Sequence, residues 1–288
     1  MLEKRTVQSP VSFAGLGVHS GTQARLTVKP SSRGSVIFRR MDLGGLEVEV
    51  DPRRAEVFNC SSLVFDSGRI LTLEHFLAVL FILGLDSVEV ELEGEEIPIV
   101  DGSAAPFARA LLQAGLRPLP LTSKAVRIVQ PHTIEDGEAR LSFSPDSDFR
   151  LSYAIDFPHP LIGRQEISLG LTRQIFIEEI APARTFGFLK DVPDLWKRGL
   201  ALGGSLDNAV VLDEEKVVSG PLRFKDEFVR HKVLDLIGDL ALFGHPLLGH
   251  FQAERAGHRL HHKAVRFLLD HPDFWAYAED ARPRYLQG

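Results

Sequence analysis

Apolar and polar positions alternate with a period of two over much of the chain. Residues 22–28 read Thr-Gln-Ala-Arg-Leu-Thr-Val, the pattern of a half-buried strand. Residues 35–39 and 46–50 continue it between Gly and Pro turn signals. Residues 61–65 and 69–72 flank Asp66-Ser67-Gly68, which predicts a hairpin. The period then changes. Residues 76–85 are almost continuously apolar, and a helix is predicted from a Thr72 cap through Leu83 to a Gly84 stop. Residues 87–92 alternate again, and residues 104–114 read as a second helix ended by Gly115.

Residues 118–123 read as a linker, after which the succession restarts. Strands are predicted over 124–129, 139–143 and 149–157, and a helix over 172–180 capped by Thr172. A short strand covers 209–212. The longest helix, 226–243, opens with acidic residues that suit its positive end. A strand over 246–253 and a helix over 258–269 follow. The expectation is an α+β protein of two similar domains, 1–120 and 121–288, each a β-sheet with helices. No residue-level repeat accompanies this similarity. Residues 187–206, with their Gly, Pro and aromatic content, fit neither half and read as an inserted element of the kind that often carries function.

Composition narrows the class. With 44% hydrophobic and 25% charged residues, the 288-residue chain is an ordinary globular sequence rather than a disordered or fibrous one. A net charge of -6 argues against a nucleic-acid partner. One cysteine, Cys60, cannot form an intramolecular disulfide, which fits a reducing compartment. The first ten residues lack the apolar core of a secretory signal, and the apolar run at 76–85 is about half a membrane span. A cytoplasmic protein without an integral membrane segment is expected. Histidine is over-supplied, with 11 against 2 Trp and 3 Tyr.

Some of these histidines sit where chemistry is expected. His231, Asp235 and Asp239 are spaced by four in the longest helix. Each step of four turns a helix by about 400° and rises roughly 6 Å, so the three share one stripe. His231 and Asp235 can then reach one metal ion, with Asp239 orienting a ligand from the next turn. A salt-bridged amphipathic helix has the same spacing. Glu74-His75 opens a helix whose following face is apolar, where unpaired polar burial costs a few kcal/mol. His75, His231 and Asp235 together make two imidazoles and a carboxylate, a catalytic zinc set with its fourth position left for water. Zinc there would lower the pKa of that water toward about 7 and polarise a carbonyl. His258 follows Gly257 at the head of the last helix and is a candidate general acid, which pattern alone does not separate from His261 and His262. The loop Gly15-Leu16-Gly17-Val18-His19-Ser20-Gly21 lacks dinucleotide-binding spacing and opens no helix.

Seven stretches carry a resemblance. They are GLGVHSG at 15–21, TLEH at 72–75, EIPIVDGSAAPF at 96–107, ARTFGF at 183–188, GLALGGSLDNAVV at 199–211, RFKDEFVRHKVLDLIGDL at 223–240 and AGH at 256–258. In this order they resemble the UDP-3-O-acyl-N-acetylglucosamine deacetylases, the zinc amidases of lipid A synthesis. The resemblance implies Zn2+ held by His75, His231 and Asp235, with Glu74 as general base and His258 as general acid. It makes the Thr185 hydroxyl the oxyanion donor and Asp239 the partner of the acid histidine. Lys232, His19, Arg255 and Asp191 are implied as substrate-site residues, and Phe186 as the ring that packs on the sugar. The implied fold packs two helical layers face to face with the active site between the domains, and the insert near 187–206 forms a passage for the acyl chain. The implied substrate is UDP-3-O-(3-hydroxyacyl)-N-acetylglucosamine, and the products are acetate and the free amine. A monomer is compatible with this reading. Two positions depart from familiar members: His261 and His262 stand where asparagine is usual, and Arg255 where lysine is common. The rival readings are a zinc amidase of another substrate and a non-enzymatic nucleotide-sugar binder.

Overall fold

The alternating segments build two sheets of the same topology. A computed structural model describes residues 1–278 and 281–287. In the first sheet the strands lie in the order Val11–Leu16, Gln23–Pro30, Val88–Glu93, Val36–Arg40, Leu46–Glu49. Every pairing is antiparallel except that of Val36–Arg40 with Val88–Glu93. In the second the order is His132–Asp136, Ala139–Ser144, Leu247–Glu254, Phe149–Phe157, Gly163–Gly170. Again the one parallel pairing joins the third strand in space to the fourth. In both sheets the central strand is the last of the five in the chain. A sixth and seventh strand, Ala125–Ile128 and Trp275–Ala278, extend the second sheet from the start of Leu247–Glu254. The mixed α+β class is the one expected, and the repeat expected from the pattern is present as topology.

A helix precedes and another follows each central strand. Helix α1 is Glu74–Leu83 and α2 is Ala105–Gln113. Helix α3, Arg173–Ile175, runs into a π-turn and is capped by the Thr172 hydroxyl, which accepts from Ile175 N as expected. Helix α4, Val192–Lys197, lies in the insert. Helix α5, Glu227–Ala241, and α6, His258–Asp270, complete the set. Helices α1 and α5 hold equivalent places and pack against each other, with α6 beside α5. All of α1 except Phe81 is buried, and each buried Leu, Ile or Phe stabilises by about 1.5–3 kcal/mol. Gly84 takes the left-handed conformation that ends α1, as predicted.

Two local expectations are corrected. Residues 118–123 are not a linker: Leu116–Ser123 is a strand paired antiparallel with Leu2–Val7. This is a two-stranded ribbon with an irregularity between Glu3 and Arg5, and such an edge tolerates Pro118 and Pro120. Thr72 does not cap α1. Its φ is 59°, and its hydroxyl donates to Glu96 Oε1 at 2.6 Å. Among the described residues no helix is long and apolar enough to cross a membrane.

Candidate active site

The site forms where α1 begins against the middle of α5. Gly238 makes this approach possible, because a β-carbon there would lie 1.9 Å from the Glu74 carbonyl oxygen. Glycine inside a helix costs about 1 kcal/mol relative to alanine. Here it lets two buried helix backbones touch. Glu74 is held in turn by Ser61, whose backbone N–H donates to Glu74 Oε2 at 3.0 Å. Burial pushes the Glu74 carboxyl above its usual value, against the pull of His258 and His75. A carboxylate raised in this way is suited to accept a proton.

His75, His231 and Asp235 converge as the helix spacing and the resemblance expected. Their ligand atoms lie within 4.8 Å of one another, and all three residues are buried. Asp235 Oδ1 is 3.3 Å from His231 Nε2 and 3.6 Å from His75 Nε2. His231 Nδ1 is 3.1 Å from the Ala183 carbonyl, which only accepts, so this nitrogen carries the proton and Nε2 presents its lone pair. Burial pushes His231 down to about 4, which keeps it neutral near pH 7. Two imidazoles and one carboxylate, buried and convergent, are a donor set for one divalent transition metal. The Ala183–Phe186 segment is clamped to α5 a second time. Buried Glu227 accepts from Arg184 N at 3.0 Å, from Arg184 Nε at 2.9 Å and from Arg223 N at 2.6 Å.

Asp239 serves a different group from the metal set. Its Oδ2 is 2.7 Å from His258 Nδ1 and 2.7 Å from His261 Nδ1, while its Oδ1 accepts from the Ser61 hydroxyl. The stripe reading placed Asp239 behind a ligand of the metal; the structure places it behind His258. His258 Nε2 then faces Glu74 Oε1 at 3.8 Å and Asp235 Oδ2 at 4.0 Å. Burial opposes a charge on His258, but Asp239 and Glu74 outweigh it and push the imidazole up to about 10. His258 is therefore cationic at neutral pH, beside a carboxylate able to take a proton.

The remaining expected residues fall into two groups. Phe186 and Lys232 meet the cluster, His19 lies within electrostatic reach of His258, and Thr185 stands in the chain between Ala183 and Phe186, both of which meet His231. Thr185 is fixed in the chain by its N–H to Gly102 O at 2.8 Å and by Val210 N to its carbonyl at 2.7 Å. The Phe186 ring stands edge-on to His231 at 6.2 Å and carries the Lys232 ammonium 5.7 Å over its face. Lys232 Nζ donates to Asp235 Oδ2 at 3.0 Å. The His19 backbone N–H donates to Glu96 Oε1 at 2.9 Å, while its buried Nδ1 has no hydrogen-bond partner among the described residues. The insert docks here, since Leu202 N donates to His19 O at 3.1 Å. Leu189, Trp196, Leu202 and Leu206 of this region are exposed. Arg255 lies further out, in ion pairs with Glu138 and Asp156, and lines a groove of about 400 Å³ together with Lys232. Asp191 is exposed at the head of α4. Sequence reasoning missed Ser61, Gly238, Tyr153 and the engagement of His261. Gly238 alone left a signal, a glycine in the middle of an apolar helix.

Comparison with known proteins agrees with this geometry. The family model described as UDP-3-O-acyl N-acetylglycosamine deacetylase matches residues 4–270. A UDP-3-O-acyl-N-acetylglucosamine deacetylase of Acidithiobacillus ferrooxidans is 40% identical over 99% of this chain and 95% of its own. Those of Thermodesulfovibrio yellowstonii and Haemophilus influenzae are 42% and 41% identical, covering 93% and 96% of this chain and 92% and 93% of their own. With a match spanning both sheets and every residue that lines the cluster, the chain belongs to the UDP-3-O-acyl-N-acetylglucosamine deacetylase family.

Proposed function

We propose that the chain removes the N-acetyl group of UDP-3-O-(3-hydroxyacyl)-N-acetylglucosamine, releasing acetate and UDP-3-O-acyl-glucosamine for lipid A synthesis. The observation that supports this most directly is the pairing of an uptuned carboxylate, Glu74, with a cationic imidazole, His258, 3.8 Å apart beside the His75, His231 and Asp235 cluster. Zn2+ fits that donor set, and when bound it supplies acidity to a coordinated water and polarisation to the acetyl carbonyl. Glu74 takes a proton from the attacking water. The Thr185 hydroxyl donates to the carbonyl oxygen as negative charge gathers on it. His258, oriented by Asp239, gives its Nε2 proton to the glucosamine nitrogen as the carbon–nitrogen bond breaks. Acetate and the free amine leave, and the proton on Glu74 returns the pair to its starting state.

Lys232, Arg255 and His19 are assigned to the nucleotide-sugar end of the substrate and Phe186 to its sugar ring. Asp191, on the insert, is assigned to the substrate entrance. The exposed apolar side chains of the insert suit an acyl chain. The topological repeat supports two domains divided near residue 120, with the acting residues drawn from α1 in one and α5 and α6 in the other. A UDP-linked substrate places the reaction in the cytoplasm, and nothing in the chemistry requires more than a monomer. The test is acetate release by the zinc-loaded chain from the acylated UDP-sugar, compared with UDP-N-acetylglucosamine and with acylated N-acetylglucosamine lacking UDP. Equal turnover of all three would refute the assigned substrate.

A further inference from the structure

Asp239 meets more donors than the orientation of one imidazole needs. Its Oδ2 lies 2.7 Å from both His258 Nδ1 and His261 Nδ1. A carboxylate only accepts, so His261 Nδ1 carries a proton. The other ring nitrogen, His261 Nε2, is 3.1 Å from the Tyr153 hydroxyl, which is itself 2.8 Å from the Ala256 carbonyl. Ala256 sits two residues before His258, in the corner where the chain leaves strand Leu247–Glu254 and enters α6. That corner is unusual: Arg255 has φ 50° and Gly257 is fully extended. Tyr153 and His261 are at most 1% exposed, so no bulk water substitutes for a lost partner.

We propose that Tyr153 and His261 are positioning residues for His258: with Ala256 and Asp239 they close a buried hydrogen-bonded ring that fixes both the backbone from which His258 projects and the carboxylate that orients its imidazole. The inference rests on His258 being the general acid. Neither residue touches substrate. Tyr153 lies on strand Phe149–Phe157, so the ring ties the second sheet to the head of α6. The ring also predicts a particular dependence between its members. Tyr153 has one proton to share between the Ala256 carbonyl and His261 Nε2, so a change at one end is felt at the other.

The test is a double-mutant cycle on the full zinc-loaded chain, reading kcat and KM separately, with thermal melting alongside. Asparagine places its Nδ2 near the position of histidine Nδ1, so His261→Asn keeps the bond to Asp239 and loses only the link to Tyr153. Tyr153→Phe loses the hydroxyl alone. Each should lower kcat by about three- to tenfold and leave KM within about twofold, as expected when an orienting partner is lost. The double variant should fall no further than the weaker single, because both break one ring. His261→Ala should lose about tenfold more than His261→Asn, since it also strips a donor from Asp239. The inference is overturned if the losses of the two conservative variants multiply, or if both keep parental kcat. His258→Ala separates the two levels. A large loss there with parental singles overturns this inference alone, whereas parental turnover without His258 overturns the acid assignment and the ring with it.

Discussion

Replacing Gly238 with alanine tests how closely the chemistry depends on helix contact. The added β-carbon would lie 1.9 Å from Glu74 O, 2.6 Å from its carbonyl carbon and 2.7 Å from its Cα. All three are backbone atoms, so no side chain can swing aside. An ordinary carbon–oxygen contact needs α1 and α5 to part by about 1.5 Å. Alanine gains about 1 kcal/mol of helix propensity, while overpacking a core costs about 1–3 kcal/mol or more. The net loss should be about 0–2 kcal/mol, or a fall in Tm of up to about 8 °C on a scale of about 2–4 °C per kcal/mol. Activity should suffer far more. Glu74 and His75 both ride on the displaced turn, and a shift of about 1 Å at a reacting group costs about 100-fold. The assays are circular-dichroism melting, zinc content and kcat/KM for Gly238→Ala. A variant with a modest fall in Tm and a 100-fold loss of kcat/KM would bear out the argument. Parental kcat/KM would refute it, because the helices would then be free to separate without consequence.

Four other expectations follow from the same geometry. Glu74→Gln should keep about one zinc per chain and lose about 100- to 10,000-fold in kcat, checked by metal analysis and turnover; unchanged turnover removes Glu74 from its role. Thr185→Val should lower kcat by about 100- to 1000-fold if its hydroxyl donates to the oxyanion. Activity needs Glu74 ionised and His258 protonated, so kcat/KM should rise as pH increases through the Glu74 pKa, on a limb above the ordinary 4.5, and fall again as His258 loses its proton. The protein alone pushes His258 up to about 10, and a bound cation pulls that value back, so the falling limb belongs between 6.5 and about 10; a fall below 6.5 contradicts the Asp239 pairing. Chelation should abolish turnover and lower Tm, with both restored by Zn2+, since a ligand of the folded state alone stabilises it by mass action.

Much of this arrangement was legible because its causes are local. Strand Phe149–Phe157 follows its period-two pattern to the residue, and the Thr172 cap and Gly84 stop act over one helical turn. The pairing of Leu2–Val7 with Leu116–Ser123 was not legible, because the partners lie more than a hundred residues apart and two prolines mimic a linker. Helix α4 was hidden by its short length and its glycine-rich surroundings. In the site, the spacing of His231 and Asp235 placed two side chains on one face without outside help. His75 was joined to them by the chemistry of the donor set and His258 only as one of three candidate acids; the choice of His258 and the role of Thr185 came from family resemblance, since nothing periodic links residues on separate elements. Tyr153 read as one more apolar strand position, and its hydroxyl gains meaning only beside the α6 corner.

The strand order has a consequence for how the molecule comes into being. Each five-stranded core is bisected by the last-made of its five strands, so neither can close as a simple meander while the chain is being extended. The second sheet waits for Leu247–Glu254, which arrives only after the whole of α5. Until then Phe149–Phe157 and Ala139–Ser144 have an open seam between them, and that seam is a template for wrong partners. His258 emerges after the strand that fills it. A ribosome-bound chain can therefore hold Glu74, His75, His231 and Asp235 and still lack the group that donates the final proton. Catalytic competence and the filling of that seam belong to one late stage in the life of the nascent chain.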